Sequence, residues 1–125
     1  MKEIVYVHGS QESPGAFKSY LEMAGYRVTL VADASQLMSI LGERTPALIL
    51  MDTLVKGKNG FSLCRAVRTL FNREEVPVVL CAGIYRAAAY REEARRAGAN
   101  RYLLPPVSET EILREVNYLL AQPVA

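Results

Sequence analysis

The 125-residue sequence contains no apolar run long enough to cross a membrane. Its longest, Ala47–Met51 and Val76–Ile84, fall far short of the ~20 residues a spanning helix needs. Met1-Lys2-Glu3-Ile4 leads straight into a short apolar run without a cleavage-type region, so no signal peptide is expected and the chain reads as cytoplasmic. Cysteine is scarce: Cys64 and Cys81 both lie inside apolar segments without metal-ligand spacing, which argues against a disulfide framework or a zinc module. They read as buried thiols in a reducing compartment, with a redox pair as the alternative. No Ser/Gly linker or low-complexity tract interrupts the chain, so residues 1–125 read as one domain. A formal net charge of +2 is too small to imply direct nucleic-acid binding. Catalytic signatures are missing too. Val7-His8-Gly9-Ser10 has no accompanying nucleophile elbow, and Gly57-Lys58-Asn59-Gly60 lacks the spacing and the Lys-Ser/Thr of a phosphate-binding loop. No dinucleotide or cobalamin fingerprint is present, and the chain reads as a non-enzyme.

What is present is an ordinary globular balance, half hydrophobic and 22% charged, in a strict alternation of patterns. Five short apolar runs, Ile4–Val7, Arg27–Val31, Ala47–Met51, Val76–Ala82 and Arg101–Leu104, alternate with five helical patterns. The third and fourth runs are nearly continuous Val/Leu/Ile, as central parallel strands covered on both faces require. Helix signals punctuate the gaps. Ser13-Pro14 opens the first helix, which carries Phe17, Tyr20, Leu21 and Ala24 on one face and stops at Gly25. Asp33 caps the second, Ala34–Leu41. Asn59-Gly60 opens a third, with Leu63, Cys64, Val67, Leu70 and Phe71 on its apolar face. A fourth runs from about Arg86 to Ala97 and closes at Gly98. Ser108 and Glu111 form a capping box for the fifth, which buries Ile112, Leu113, Val116, Leu119 and Leu120. This predicts an α/β, doubly wound, five-stranded parallel sheet of order 2-1-3-4-5 with five helices. In such sheets the functional crevice lies beyond the carboxyl ends of the strands, which directs attention to His8, Gly9, Asp33, Asp52, Ala82, Gly83 and Leu104–Pro106.

Asp52 ends the run Ala47-Leu48-Ile49-Leu50-Met51; Gly60 follows within Lys58-Asn59-Gly60-Phe61, then Leu63-Cys64-Arg65, the strand Val76-Pro77-Val78-Val79-Leu80, and Ala97-Gly98-Ala99-Asn100-Arg101-Tyr102-Leu103-Leu104-Pro105-Pro106-Val107. In order and spacing this resembles, over essentially the whole chain, the receiver domain of bacterial two-component response regulators, with its flavodoxin-like fold. The resemblance places Asp52 at the phosphoacceptor position and Tyr102 at the switch aromatic. It also implies a magnesium-holding acidic pair, a lysine and a Ser/Thr around the acceptor, and those positions are His8-Gly9, Pro105 and Ala82 in this chain. Gly9 has no side chain, imidazole is a poor ligand for a hard cation, and Pro105 and Ala82 can neither neutralise nor donate to a phosphoryl group. The family's proline four residues after the acceptor is Lys56.

Glu12, Lys56 and Lys58 are conceivable substitutes, although loop charges are usually just solvated. His8 is open to two readings, a structural hydrogen-bonding group or a positive partner of Asp52. The resemblance further implies an interaction face on the fourth helix, fifth strand and fifth helix. Arg86, Tyr90, Arg91, Arg95, Arg96 and Arg101 there oppose Glu109, Glu111 and Glu115, with Tyr85 and Tyr102 nearby. These are either a partner or homodimer face or the solvated sides of two amphipathic helices.

The sequence therefore reads as a pseudo-receiver, a phosphorylation-independent protein–protein interaction module with a degenerate phosphoacceptor pocket, acting on a protein partner or a fused output domain. Two alternatives stay open: a functional receiver phosphorylated on Asp52, the only case in which Mg2+ is expected as cofactor, and a crevice that binds a small ligand. The family's cis bond is expected at Pro105-Pro106, with Tyr102 turned inward.

Overall fold

The computed structural model describes residues 1–9, 15–56, 58–82, 87–104 and 107–121. Its central layer follows from period-two alternation. In β1 (Glu3–Val7) Ile4 and Tyr6 enter one core while Val5 and Val7 enter the other; in β3 (Leu48–Asp52) Leu48 and Leu50 part from Ile49 and Met51 in the same way. Strands buried on both faces leave no room for alternating polar residues, and β6 (Val78–Cys81) is likewise buried throughout. With β2 (Arg27–Val31) and β7 (Arg101–Leu103) at the edges, the parallel order is β2-β1-β3-β6-β7. This is the expected 2-1-3-4-5 order once a small antiparallel hairpin, β4 (Leu54–Val55) with β5 (Lys58–Asn59), is set aside. The hairpin has no counterpart in the sequence reading, because two-residue strands carry no periodicity to detect.

Helices α1 (Gly15–Met23) and α5 (Glu109–Ala121) cover one face through Leu21, Ile112 and Val116. On the other lie α2 (Ala34–Glu43), α3 (Gly60–Arg68) and α4 (Ala88–Ala97). The helix starts are chemically specified: Asp33 Oδ1 accepts the Gln36 amide at 2.8 Å, Asn59 Oδ1 that of Ser62 at 2.8 Å, and Ser108 Oγ that of Glu111 at 3.1 Å. Gly25 and Gly98, both at φ +100°, end α1 and α4. No helix among the described residues is long and apolar enough to cross a membrane.

Three expectations need correction. Helix α3 ends at Arg68, so Leu70 is half exposed at 49% and does not join the apolar face. The fourth strand spans Val78–Cys81, because Val76 and Pro77 belong to the incoming loop, where Arg68 binds the Val76 carbonyl. Ala24 lies beyond the end of α1 and is exposed. The Ser13-Pro14 helix start and the Pro105-Pro106 bond lie outside the described residues.

Candidate functional site

Parallel pairing brings three strand ends together. Val7 pairs with Met51 and Asp52 with Cys81, so His8, Gly9, Asp52 and Ala82 share the carboxyl edge. Backbone bonds hold the rim: the His8 amide donates to Val31 O (3.0 Å), the Thr53 amide to Cys81 O (3.2 Å) and the Ala82 amide to Leu103 O (2.9 Å). Asp52 is half-buried, while Gly9, Thr53 and Ala82 are buried.

Asp52 is met by backbone. The Gly9 amide donates to Asp52 Oδ2 at 2.5 Å. A Cβ built on Gly9 would stand 2.9 Å from the Leu54 carbonyl oxygen and 3.0 Å from Asp52 Oδ2, so any side chain at position 9 must displace the hairpin or the carboxylate. A second close approach lies behind it, where a Cβ on Gly60 would come within 2.5 Å of the Asp52 carbonyl oxygen and 2.7 Å of Thr53 Cα. The Gly60 amide donates to Thr53 O at 2.8 Å. Only glycine lets the start of α3 rest on the strand end in this way. The sequence singled out Gly60 only as a family landmark. Buried Thr53 escaped notice because a single residue between Asp52 and a two-residue strand has no pattern.

His8 does not pair with Asp52. Its Nδ1 lies 3.4 Å from the Gly9 carbonyl, which can only accept, and its ring meets Tyr6 edge-on at 6.1 Å, the structural alternative. Lys56 and Lys58 line an open cleft between α2 and α3. Asp33 acts as the α2 cap. Glu12 and Pro105 lie outside the described residues. Tyr102 is turned inward, 9% exposed, with its ring 5.9 Å from Phe61, which in turn stacks on Tyr90 at 6.1 Å.

Among the described residues, Gly9 brings no side-chain oxygen to the carboxylate of Asp52. A hard cation needs several oxygen ligands, Gly9 has none to offer from a side chain, and no cluster of three or more His, Cys, Asp or Glu with metal-holding geometry occurs among the described residues. Burial pushes the Cys64 thiol up to about 11, and both cysteines are free and buried.

On the far side of Tyr102, many charges are already matched within the chain. Arg95 binds Glu92 at 2.5 Å and Arg96 approaches the same carboxylate at 3.4 Å; the Arg95 bond above all holds the Glu92 carboxyl down at about 2. Arg101 lies 3.5 Å from Glu115 and 5.3 Å from the centre of the Tyr118 ring. Arg91 forms no ion pair with a described residue, Tyr90 is 37% exposed, and Glu111 is half-buried. Arg86 and Tyr85 lie outside the described residues.

Comparison with known proteins agrees with this arrangement. The model of the response regulator receiver domain matches residues 4–117. An uncharacterized 14.6 kDa protein of Leptolyngbya boryana is 31% identical over 97% of this chain and 92% of its own. Protein PilH of Pseudomonas aeruginosa is 26% identical over 97% and 99%. The transcriptional regulatory protein GltR of the same organism is 29% identical, but the match takes up only 49% of its length. Among solved structures, the receiver domain of a sensor histidine kinase from Pseudomonas aeruginosa PAO1, with a magnesium ion coordinated in its active-site cleft, superposes with a TM-score of 0.83 at 29% identity, covering 97% of this chain and 98% of that one. A two-component response regulator from Clostridium difficile shares the fold at TM-score 0.89 and 18% identity, with both chains fully covered. With its strand order, its aspartate at the end of β3 and a family match over nearly its whole length, the chain belongs to the response regulator receiver domains.

Proposed function

We propose that this receiver domain signals through protein–protein contacts without phosphorylation of Asp52. The observation that carries this reading is the packing at Gly9: its amide donates to Asp52 Oδ2, and a side chain at position 9 would begin only 2.9 Å from the Leu54 carbonyl oxygen and 3.0 Å from the carboxylate. Phosphoryl transfer to a carboxylate needs charge neutralisation around the transferred group, and Gly9 and Ala82 supply none. The output passes to a separate protein or to a fused domain, since GltR is a longer protein matched over half its length while PilH is matched over nearly all of its own. The face offered is α4–β7–α5, where Tyr90 is partly exposed, Arg91 forms no ion pair with a described residue, and Arg95 and Arg101 are paired within the chain. A two-fold homodimer on this face would rest chiefly on aromatic contact and Arg91, not on reciprocal Arg–Glu pairing.

The test is incubation with acetyl phosphate or beryllium fluoride, with and without magnesium, read by intact mass and by amide shifts. No adduct and no shift at Gly9, Asp52 or Tyr102 is expected. Stoichiometric, magnesium-dependent modification of Asp52 overturns the reading in favour of a working phosphoacceptor. A small molecule that raises the melting temperature and maps to His8 and Ala82 would instead favour the ligand crevice.

A further inference from the structure

The cleft between α2 and α3 has a volume of about 550 Å3 and a layered chemistry. Its floor is apolar: Ala34 and Met38, four residues apart on α2, face Leu63 and Ala66, three apart on α3. Such spacings set side chains on one side of each helix. Lys56 and Lys58 stand exposed at its rim. Neither rim lysine forms an ion pair with a described residue, whereas Lys18 pairs with Glu22, Arg44 with Glu3 and Arg65 with Glu93. The one carboxylate in the lining, Asp33, is committed to the α2 start through Gln36.

From this charge pattern we infer that the cleft is a docking groove for an acidic, amphipathic helical segment of a protein partner. The cleft is open to solvent, and a small ligand needs enclosure of most of its surface, which an open groove does not give. A helix laid between two helices needs only an apolar floor and complementary rim charges, both of which are in place. Net attraction from exposed lysines would speed encounter and select for acidic partners over basic ones. The groove is also mechanically placed. The Ala34 amide donates to the Lys56 carbonyl at 3.2 Å, and Lys56 follows directly on β4, whose Leu54 carbonyl closes over Gly9. A segment seated there holds α2 against the hairpin that follows Asp52. This inference is independent of whether Asp52 is phosphorylated, because groove and acceptor are probed by different measurements.

The experiment is selection of a random 16-residue displayed peptide library on the full chain, followed by affinity measurement and amide-shift mapping of the enriched peptides. Enriched peptides are expected to be acidic, with apolar residues at i, i+3 and i+4, and to shift the amides of Ala34, Met38, Leu63 and Ala66. K56E/K58E should weaken them roughly 5- to 30-fold, as the loss of two exposed ion pairs implies. K56Q/K58Q, which keeps the aliphatic stems, should weaken them less and serves if the reversal variant unfolds. No enrichment, peptides without acidic bias, equal binding to K56Q/K58Q, or shifts confined to α4–β7–α5 would each overturn the inference. So would laurate shifting the same amides at lower concentration than any peptide.

Discussion

At the amino end of the sheet a single guanidinium gathers five acceptors, whereas at the carboxyl end the Asp52 carboxylate accepts the Gly9 backbone amide. Arg68 donates to the carbonyls of Gly98 (2.8 Å), Phe71 (3.2 Å), Asn72 (3.1 Å) and Val76 (2.8 Å) and to Asn100 Oδ1 (3.0 Å). Asn100 Oδ1 also receives the Val78 amide at 2.9 Å, so the end of α3, the start of β6 and the turn after α4 are tied together. Close by on the same end, Glu3 accepts from Arg44 and Thr29. Beside Asp52 stand Gly9 and Ala82, neither of which carries a polar side chain. At the amino end these polar side chains tie the elements of the scaffold together.

The largest expected difference is between Arg68→Ala and Asp52→Asn. Removing Arg68 leaves partly buried carbonyls without their donor and should cost about 3–4 kcal/mol, since charged hydrogen bonds are each worth about 1.5–3 kcal/mol. Asp52→Asn retains an oxygen for the Gly9 amide and should cost less than ~1 kcal/mol. Urea unfolding followed by circular dichroism measures both. Equal losses would mean that Asp52, too, is a structural keystone.

The amino end also titrates. The Arg44 bond chiefly, with that of Thr29, holds the Glu3 carboxyl below the usual range against the opposing effect of burial. A carboxyl lowered in the folded state contributes stability that is present above its unfolded value of about 4.3 and is lost as pH falls through the lowered folded value. Glu3→Gln should cost about 1–2 kcal/mol at pH 7 and flatten the loss of stability below pH 4. A variant whose acid limb matches the parent would remove Glu3 from the contrast.

The physical reason for what could be read from the sequence lies in the same contrast. Strand order, both cores and three helix starts were legible because buried strands and caps leave local marks: Leu48 to Met51 as a run, Asp33, Asn59 and Ser108 as cap residues. The place of His8, Gly9, Asp52 and Ala82 at one sheet edge was legible too, since each follows or ends an apolar run. Arg68 was not, because four of its acceptors are carbonyls, which every residue has. Glu3 and Arg44 lie 41 positions apart with no shared pattern. Nor did the sequence show that Lys56 and Lys58 face α2 and α3, since that depends on a hairpin of two-residue strands.

A smaller effect separates Gly9 from an ordinary buried glycine. Gly9→Ala puts a methyl 2.9 Å from the Leu54 oxygen, so hairpin or carboxylate must shift, at about 1–2 kcal/mol. Amide shifts at Leu54 and Asp52 should accompany the loss. Gly9→Asp should cost at least as much and leave beryllium fluoride unbound, because its carboxylate begins inside the closed contact. An unchanged stability with unmoved Leu54 would show that the closure is soft.

The smallest effect belongs to Ala82→Ser. Ala82 is 4% exposed and its amide is satisfied by Leu103, so the added hydroxyl adds little volume and can turn to a neighbouring carbonyl. The expected change is within about 0.5 kcal/mol. Its value is in what it separates. The closure at Gly9 and the missing hydroxyl are independent deficits, one steric and one chemical. If the steric one governs, Ala82→Ser stays inert to beryllium fluoride and Tyr102 keeps its contact with Phe61. If the hydroxyl alone were limiting, the same substitution would make Asp52 bind the probe and shift the Tyr102 amide, and the carboxyl edge would then be one side chain away from a working switch.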